Sequence, residues 1–193
     1  MKTYDISICG VTRTLPLIPI SDGMAFASFV IISDTELISA AAPALADQIR
    51  RQGPVEEIVT AEAKGIALAY EISRLLGLKR FIVARKSRKS YMRDAVRHEV
   101  QSITTAERQM LYLDGADAAE IRGRRVCLVD DVISTGESIA AIEALVKSAG
   151  GDVVCRAAVL AEGDAASRTD IVFLQKLPLF CRSGEDGYQP LSR

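Results

Sequence analysis

Val126-Cys-Leu-Val-Asp130-Asp131-Val-Ile-Ser134-Thr135-Gly136-Glu137-Ser138 is the stretch on which the reading of the fold turns. Its first four residues form a continuous apolar run, the pattern of a central parallel strand buried on both faces. Two carboxylates follow where the strand is expected to end, and a short loop of hydroxyls and glycine opens a helix over 136–148. Ile139, Ile142, Leu145 and Val146 share one face of that helix, and Gly150-Gly151 stops it. Outward from here the same alternation repeats. Val153–Leu160 and Ile171–Leu174 read as further strands. Toward the N-terminus, Phe26–Ser33, Val55–Thr60 and Phe81–Ala84 read as strands. Leu37–Arg50 and Lys64–Leu76 read as the helices between them, the first with Ile38, Ala41, Leu45 and Ile49 at helical spacing. Alternating strand and helix predicts an α/β fold, a central parallel sheet with helices on both faces. Ligands are then expected at the strand ends after Val59, Ala84 and Val129. Residues 1–25, with Pro16, Pro19 and Gly23, read as irregular and are expected to pack as a flap.

The 193 residues are 49% hydrophobic and 25% charged, the composition of a globular chain with one substantial core. Lys plus Arg number 24 against 25 Asp plus Glu, so no general basic field exists to hold nucleic acid or an anionic membrane. Any anion site must be local. No apolar run approaches the roughly 20 residues of a membrane span, and no signal-peptide pattern is present, which predicts a cytoplasmic protein. Cys9, Cys127, Cys155 and Cys181 are too widely spaced for a zinc knuckle or a CxxC pair and are expected to be reduced, mostly buried thiols. His98 is the only histidine and falls in a basic, loop-like stretch, so a zinc site or a Ser-His-Asp hydrolase would rest on it alone.

Three segments carry anion chemistry. Backbone N–H groups at the start of the helix after Ser134, helped by the hydroxyls, suit a phosphate, because those donors are unsatisfied and the helix dipole favours an anion. Asp130 and Asp131 beside a phosphate make electrostatic sense only if they face hydroxyl donors or a divalent cation. A phosphorylated sugar with vicinal hydroxyls supplies both. Read alone, the loop is equally a capped helix with a solvated turn. No GxxxxGK[ST] P-loop occurs. Ala63, Lys64 and Gly65 open another helix, and Arg85, Lys86, Arg88 and Lys89 place four cations within five residues at the head of a long polar segment that reads as a lid.

Asp130 to Ser138, with the apolar strand before it, resembles the phosphoribosyl-pyrophosphate signature of type I phosphoribosyltransferases. Ala61-Glu-Ala-Lys-Gly65 is similar to the pyrophosphate loop of adenine phosphoribosyltransferases, and Ala84-Arg-Lys-Ser-Arg-Lys89 to their strand end and basic mobile loop. The resemblance implies the type I fold with a flap built from both termini. It also implies a single domain over residues 1–193, with 1–25 and about 162–193 forming the base-binding flap. The activity implied is transfer of ribose 5-phosphate from phosphoribosyl pyrophosphate to a purine base in salvage. Adenine is the first choice, with xanthine, hypoxanthine-guanine or a non-catalytic sugar-pyrophosphate sensor as alternatives.

By the same resemblance Asp130 and Asp131 bind the ribose hydroxyls, directly or through Mg²⁺-bound water. Ala63, Lys64, Gly65, Arg85, Lys86 and Lys89 bind pyrophosphate, and Ser134, Thr135, Gly136, Glu137 and Ser138 cradle the 5′-phosphate. Mg²⁺ is the implied cofactor and a homodimer the implied assembly, with no nucleic acid or membrane partner. Three positions depart from the adenine pattern. Lys64 stands where arginine is usual, Glu137 where a second glycine is common, and Thr104-Thr105 where the mobile loop carries Glu-Tyr. For the base pocket the places to look are residues 13–26 and the segment near Glu162, with Phe26, Leu160 and Phe180 as apolar candidates.

Overall fold

The computed structural model describes residues 2–21, 23–100, 109–183 and 187–191. The chain opens with three antiparallel strands, β1 (Thr3–Ile8), β2 (Val11–Ser21) and β3 (Met24–Ala27), and then helix α1 (Thr35–Arg51). β4 (Glu57–Ala61), α2 (Ile66–Leu75) and β5 (Ile82–Ala84) form the first parallel unit. A hairpin of β6 (Val96–Val100) and β7 (Gln109–Leu113) leads to the short α3 (Gly115–Ile121). β8 (Arg125–Ile133), α4 (Glu137–Ser148) and β9 (Asp152–Glu162) follow, then a 3-10 turn (Gly163–Ser167), β10 (Val172–Leu177), β11 (Phe180–Ser183) and β12 (Gly187–Pro190).

The central sheet runs β10-β9-β8-β4-β5, with parallel pairings throughout. From β4 the chain steps outward to β5. It then returns to the other side of β4 as β8, and steps away through β9 and β10. Strand order therefore reverses between β4 and β8, and the crevice that opens at such a reversal lies at the carboxyl ends of these two strands. Side chains alternate along the strands, so the core divides in two. Ile58, Cys127 and Val129 pack toward α1, α2 and the terminal strands, and Val59, Val126 and Leu128 toward α3, α4 and the β6–β7 hairpin. This is the predicted parallel sheet with helices on both faces.

The N-terminal region differs from the expectation. It is regular: β1, β2 and β3 join β11 and β12 in a second, antiparallel sheet, ordered β1-β2-β3-β11-β12. Cys9 and Gly10 both hold positive φ, 50° and 83°, the two-residue turn whose twist matches a hairpin. Ile6, Ile8, Leu15 and Leu17 alternate inward on the two strands and are buried. The prolines hid this strand, and Pro19 sits at a register irregularity of β2 where a missing N–H is tolerated. The strand expected at Phe26–Ser33 is shorter, ends at Ala27, and belongs to this hood sheet instead of the central one. At the other end, Gly163 to Leu177 is no part of the flap, because β10 pairs in parallel with β9 in the central sheet. His98 lies on β6 opposite Leu111, within a hairpin and not a loop. Of the four thiols two are buried, Cys127 and Cys155, which face each other across β8 and β9; Cys9 is exposed and Cys181 partly so.

Candidate active site

The crevice between β4 and β8 is a cleft of about 310 Å³ lined by Phe26, Ala27, Phe29, Ala61, Glu62, Ala63, Lys64, Lys86, Asp130, Asp131, Val132, Ser134, Ser138, Glu162 and Leu177. Its polar parts come from segments the sequence singled out. Its apolar wall of Phe26, Phe29 and Leu177 comes from the hood, the coil after it, and β10, and of these three only Phe26 was expected.

Asp130 and Asp131 do not follow the end of a strand. β8 continues through both to Ile133, with Val132 in register with Leu160 and Ile133 with Ala161 of β9. The pair is thereby fixed by a sheet ladder. One Asp130 oxygen accepts the N–H of Asp131 at 2.9 Å, and Asp131 Oδ1 accepts the N–H of Val132 at 3.0 Å. Asp131 Oδ2 is buried without a hydrogen-bond partner. Burial and then the neighbouring Asp131 charge push Asp130 up to about 7, while Lys64 pulls the other way. Burial raises Asp131 too, again opposed by Lys64. Two acids held together in this way await cations or hydroxyl donors.

Among the described residues no cluster of three or more His, Cys, Asp or Glu side chains is arranged to cage a metal. A hard cation such as Mg²⁺ binds through few protein carboxylates when substrate oxygens and water complete its shell, and the unpartnered Asp131 oxygen fits that mode.

Beyond Ile133 the loop 134–136 turns into α4. Gly136 caps the helix with φ 85°, a left-handed conformation that favours glycine. Thr135 Oγ1 accepts the N–H of Glu137 at 3.4 Å. A Cβ on Gly136 would come within 2.5 Å of an Arg168 Nη atom, so this cation lies against the cradle. Arg168 is held there by Asp170, to which its other nitrogens donate at 2.9 and 2.7 Å. Sequence reading missed Arg168, since it lies 30 residues downstream of Ser138 in an unremarked turn.

After β4, the Glu62-Ala63 peptide is cis. Lys64 lines the cleft. Gly65 precedes α2 and is demanded by packing: a Cβ would overlap the Thr60 hydroxyl and lie 3.3 Å from the Val129 carbonyl oxygen. Its role is thus to let the turn lie on β4 and β8, a reason the motif did not state. Glu62 is a second residue the sequence reading passed over, although it stands inside the motif. Its carboxylate accepts the N–H of Lys86 at 3.1 Å, lies 3.5 Å from Arg85 Nε and 4.0 Å from Lys89 Nζ. Arg85 Nε makes no hydrogen bond within that ion pair. Lys89 also donates to Ser87 at 2.8 Å. Lys64 and Lys86 therefore reach the cleft directly, while Arg85 and Lys89 stand behind them on Glu62. Ser134 and Ser138 line the cleft, whereas Thr135, Gly136 and Glu137 form the outer turn.

Of the expected base-pocket residues Phe26 lines the cleft. Leu160 does not, being wholly buried in the core, and neither does Phe180, which packs edge-on against Tyr4 at 5.0 Å within the hood. Alternation explains both, since each side chain points to the inner face of its sheet. Phe29 and Leu177 take their place. Thr104-Thr105 lie outside the described residues.

Comparison with known proteins places these parts in a family. Residues 31–182 match the model of the phosphoribosyl transferase domain. A hypoxanthine/guanine phosphoribosyltransferase of Methanosphaerula palustris is 33% identical over 159 residues, covering 82% of this chain and 79% of that one. One from Methanococcus voltae is 33% identical over 114 residues, 59% of this chain and 57% of its own length. Across the first relatives the match spans little more than half of their length. The adenine phosphoribosyltransferase of Thermoanaerobacter pseudethanolicus shares the fold with a TM-score of 0.68 at 24% identity, over 84% of this chain and 95% of that one. That of Giardia lamblia does so with a TM-score of 0.69 at 19% identity, over 84% and 93%. With its switch-point cleft, paired aspartates and matched domain, this chain belongs to the phosphoribosyltransferase domain family.

Proposed function

We propose that the protein transfers the ribose 5-phosphate group of phosphoribosyl pyrophosphate to a purine base, releasing pyrophosphate, and that the base is a 6-oxopurine. One observation carries the reading: a single cleft joins two sheet-held aspartates, a helix-start phosphate cradle and two lysines beside an apolar wall. The aspartates hold the two ribose hydroxyls. Ser134 to Ser138, backed by Arg168, takes the 5′-phosphate. Lys64 and Lys86 neutralise the departing pyrophosphate, with Arg85 and Lys89 held in reserve by Glu62. Mg²⁺, when bound with the substrate, supplies further charge to the leaving group. The apolar wall of Phe26, Phe29 and Leu177 stacks on the base and excludes water. Relatives named for hypoxanthine and guanine favour those bases over the adenine suggested by the motifs, because they match over as much as 82% of this chain, whereas an adenine phosphoribosyltransferase matches at 43% identity over only 29% of it and the solved adenine enzymes are likenesses of fold. The homodimer and the single-domain organisation implied by the resemblance belong to the same proposal.

The test is pyrophosphate release with phosphoribosyl pyrophosphate and Mg²⁺ against hypoxanthine, guanine, xanthine, adenine and uracil. Turnover with hypoxanthine or guanine is expected; preference for adenine overturns the choice of base, and tight sugar binding without any turnover overturns catalysis. Replacing Asp130 and Asp131 together by Asn is expected to weaken binding of the magnesium-bound sugar pyrophosphate about 100-fold or more, measured by calorimetry, with the circular dichroism spectrum unchanged.

A further inference from the structure

Four carboxylates line the cleft. Glu62 is engaged by the basic strand end, and Asp130 and Asp131 stand at the sugar position. Glu162 is different in kind. It is the last residue of β9, only 9% exposed, and it borders the apolar wall of Phe26, Phe29 and Leu177. Ile133 of β8 is in register with Ala161 of β9, so the next residues, Ser134 and Glu162, stand side by side at the strand ends, and both line the cleft. Burial pushes the Glu162 carboxyl up, with Ser134 and then Lys64 opposing.

Position gives the pair its meaning. Ser134 lies three residues beyond Asp131, so it stands on the sugar side of the apolar pocket. A purine in that pocket, poised to join C1′, turns its imidazole ring toward Ser134. A neutral purine carries one N–H on that ring, and the proton must leave if a neutral glycosylated base is to result.

We propose that Glu162, acting through Ser134, accepts that proton during transfer. The inference rests on the function proposed above. In the step, the N9 lone pair forms the bond to C1′ as the C1′–O bond to pyrophosphate breaks, and its electron pair leaves with pyrophosphate. The N7 proton passes to Ser134 Oγ while the Ser134 hydroxyl proton passes to the Glu162 carboxylate, so no further reactant is needed. Ser134 touches the base, and Glu162 is a positioning residue behind it. The charged groups facing Glu162 are Lys64 from the turn before α2 and Asp130 and Asp131 from β8. Asp164 lies in the adjoining turn, and Lys176 of β10 is in register with Ala161, next to Glu162.

The test is kcat against pH for the wild type, Glu162→Gln, Glu162→Asp and Ser134→Ala, on whichever base the wild type uses. Calorimetric binding of phosphoribosyl pyrophosphate is measured alongside. The wild type is expected to lose kcat on the acid side as Glu162 takes up a proton. Glu162→Gln should lower kcat about 100-fold and reduce the acid limb to the part that Asp130, itself pushed up to about 7, contributes, with sugar binding retained, and Glu162→Asp should restore the full limb. Ser134→Ala should reduce the limb in the same way, and decides the matter if Glu162→Gln fails to fold. An acid limb in Glu162→Gln or Ser134→Ala unchanged from the wild type's overturns the proposal, as does a loss of kcat in Glu162→Gln matched by loss of sugar binding. A wild type that turns over no base sinks the proposed function itself, and this inference with it, whereas an active wild type whose limb is unchanged in both variants sinks only the inference.

Discussion

At Gly65 the backbone turns against two strands with no room for a side chain, and the same residue carries the pyrophosphate motif. Thr60 Oγ1, itself buried without a hydrogen-bond partner, occupies the space a Cβ would need. Gly65→Ala must therefore push the turn off β4 and β8 and carry Lys64 with it. The expected cost is about 1–3 kcal/mol of stability, read from urea denaturation, together with weaker sugar-pyrophosphate binding. Adding Thr60→Ala removes the overlapping hydroxyl and should recover part of both losses; no recovery would mean that the turn is shaped by something other than this contact. Residue identity at the site was legible for Asp130, Asp131, Lys64 and the Ser134–Ser138 loop, because their chemistry is local in sequence. Glu62, Phe29, Leu177 and Arg168 were not, because each acquires its role only from a neighbour that the fold brings to it.

At the scale of elements, helix α1 joins the central sheet to the hood. Asp34 caps it, accepting the Leu37 N–H at 3.0 Å, and is gripped by Arg13 of β2 at 2.6 and 2.9 Å. Arg13 also reaches Glu36 at 2.7 Å. The Arg13 guanidinium holds the Asp34 carboxyl below its ordinary value, with the cap bond acting in the same sense. Asp34→Ala removes the cap and frees Arg13. A loss of about 1–2 kcal/mol is expected, most of it from the cap, since a partly exposed ion pair contributes little. Double-mutant analysis with Arg13→Ala checks the division. A coupling larger than the cap loss would show that the hood hangs chiefly on the ion pair. Helix α1 was legible from its spacing, with Ile38, Ala41, Leu45 and Ile49 all buried. The hood strands were not, because a short strand declares itself only with a partner, and the partners of β3 are β2 and the distant β11.

For the molecule as a whole, charge buried at the end of the sheet away from the cleft sets a pH dependence. Glu57, at the start of β4, is 1% exposed, and one of its oxygens lacks a hydrogen-bond partner. Burial raises its carboxyl above the ordinary value, more than Arg80 and Arg124 lower it. The folded state thus holds a proton that the unfolded chain has released, and this group's contribution to stability falls as pH climbs from about 4.5 through the raised value. Glu57→Gln removes that fall, so the variant should gain thermal stability on the wild type as pH rises from 4 to 8. A difference in melting temperature that stays constant across that range would show that Arg80 and Arg124 already compensate the charge. No helix among the described residues is long and apolar enough to cross a membrane.

The alternation of strand and helix, the two-faced parallel sheet and the three anion-directed segments were determined by the sequence alone. Each depends on periodicity or on side chains within a dozen positions of one another, and burial of an apolar stripe has few solutions. The tertiary structure decided what depends on non-local pairing. It set the order β10-β9-β8-β4-β5, whose reversal brings the ends of β4 and β8 together, and it built one hood from both ends of the chain. It also placed Glu162 beside Ser134 across 27 residues of intervening sequence. Strand register is settled by the hydrogen-bond ladder and by which face is buried, quantities that belong to two segments at once and that neither segment carries by itself.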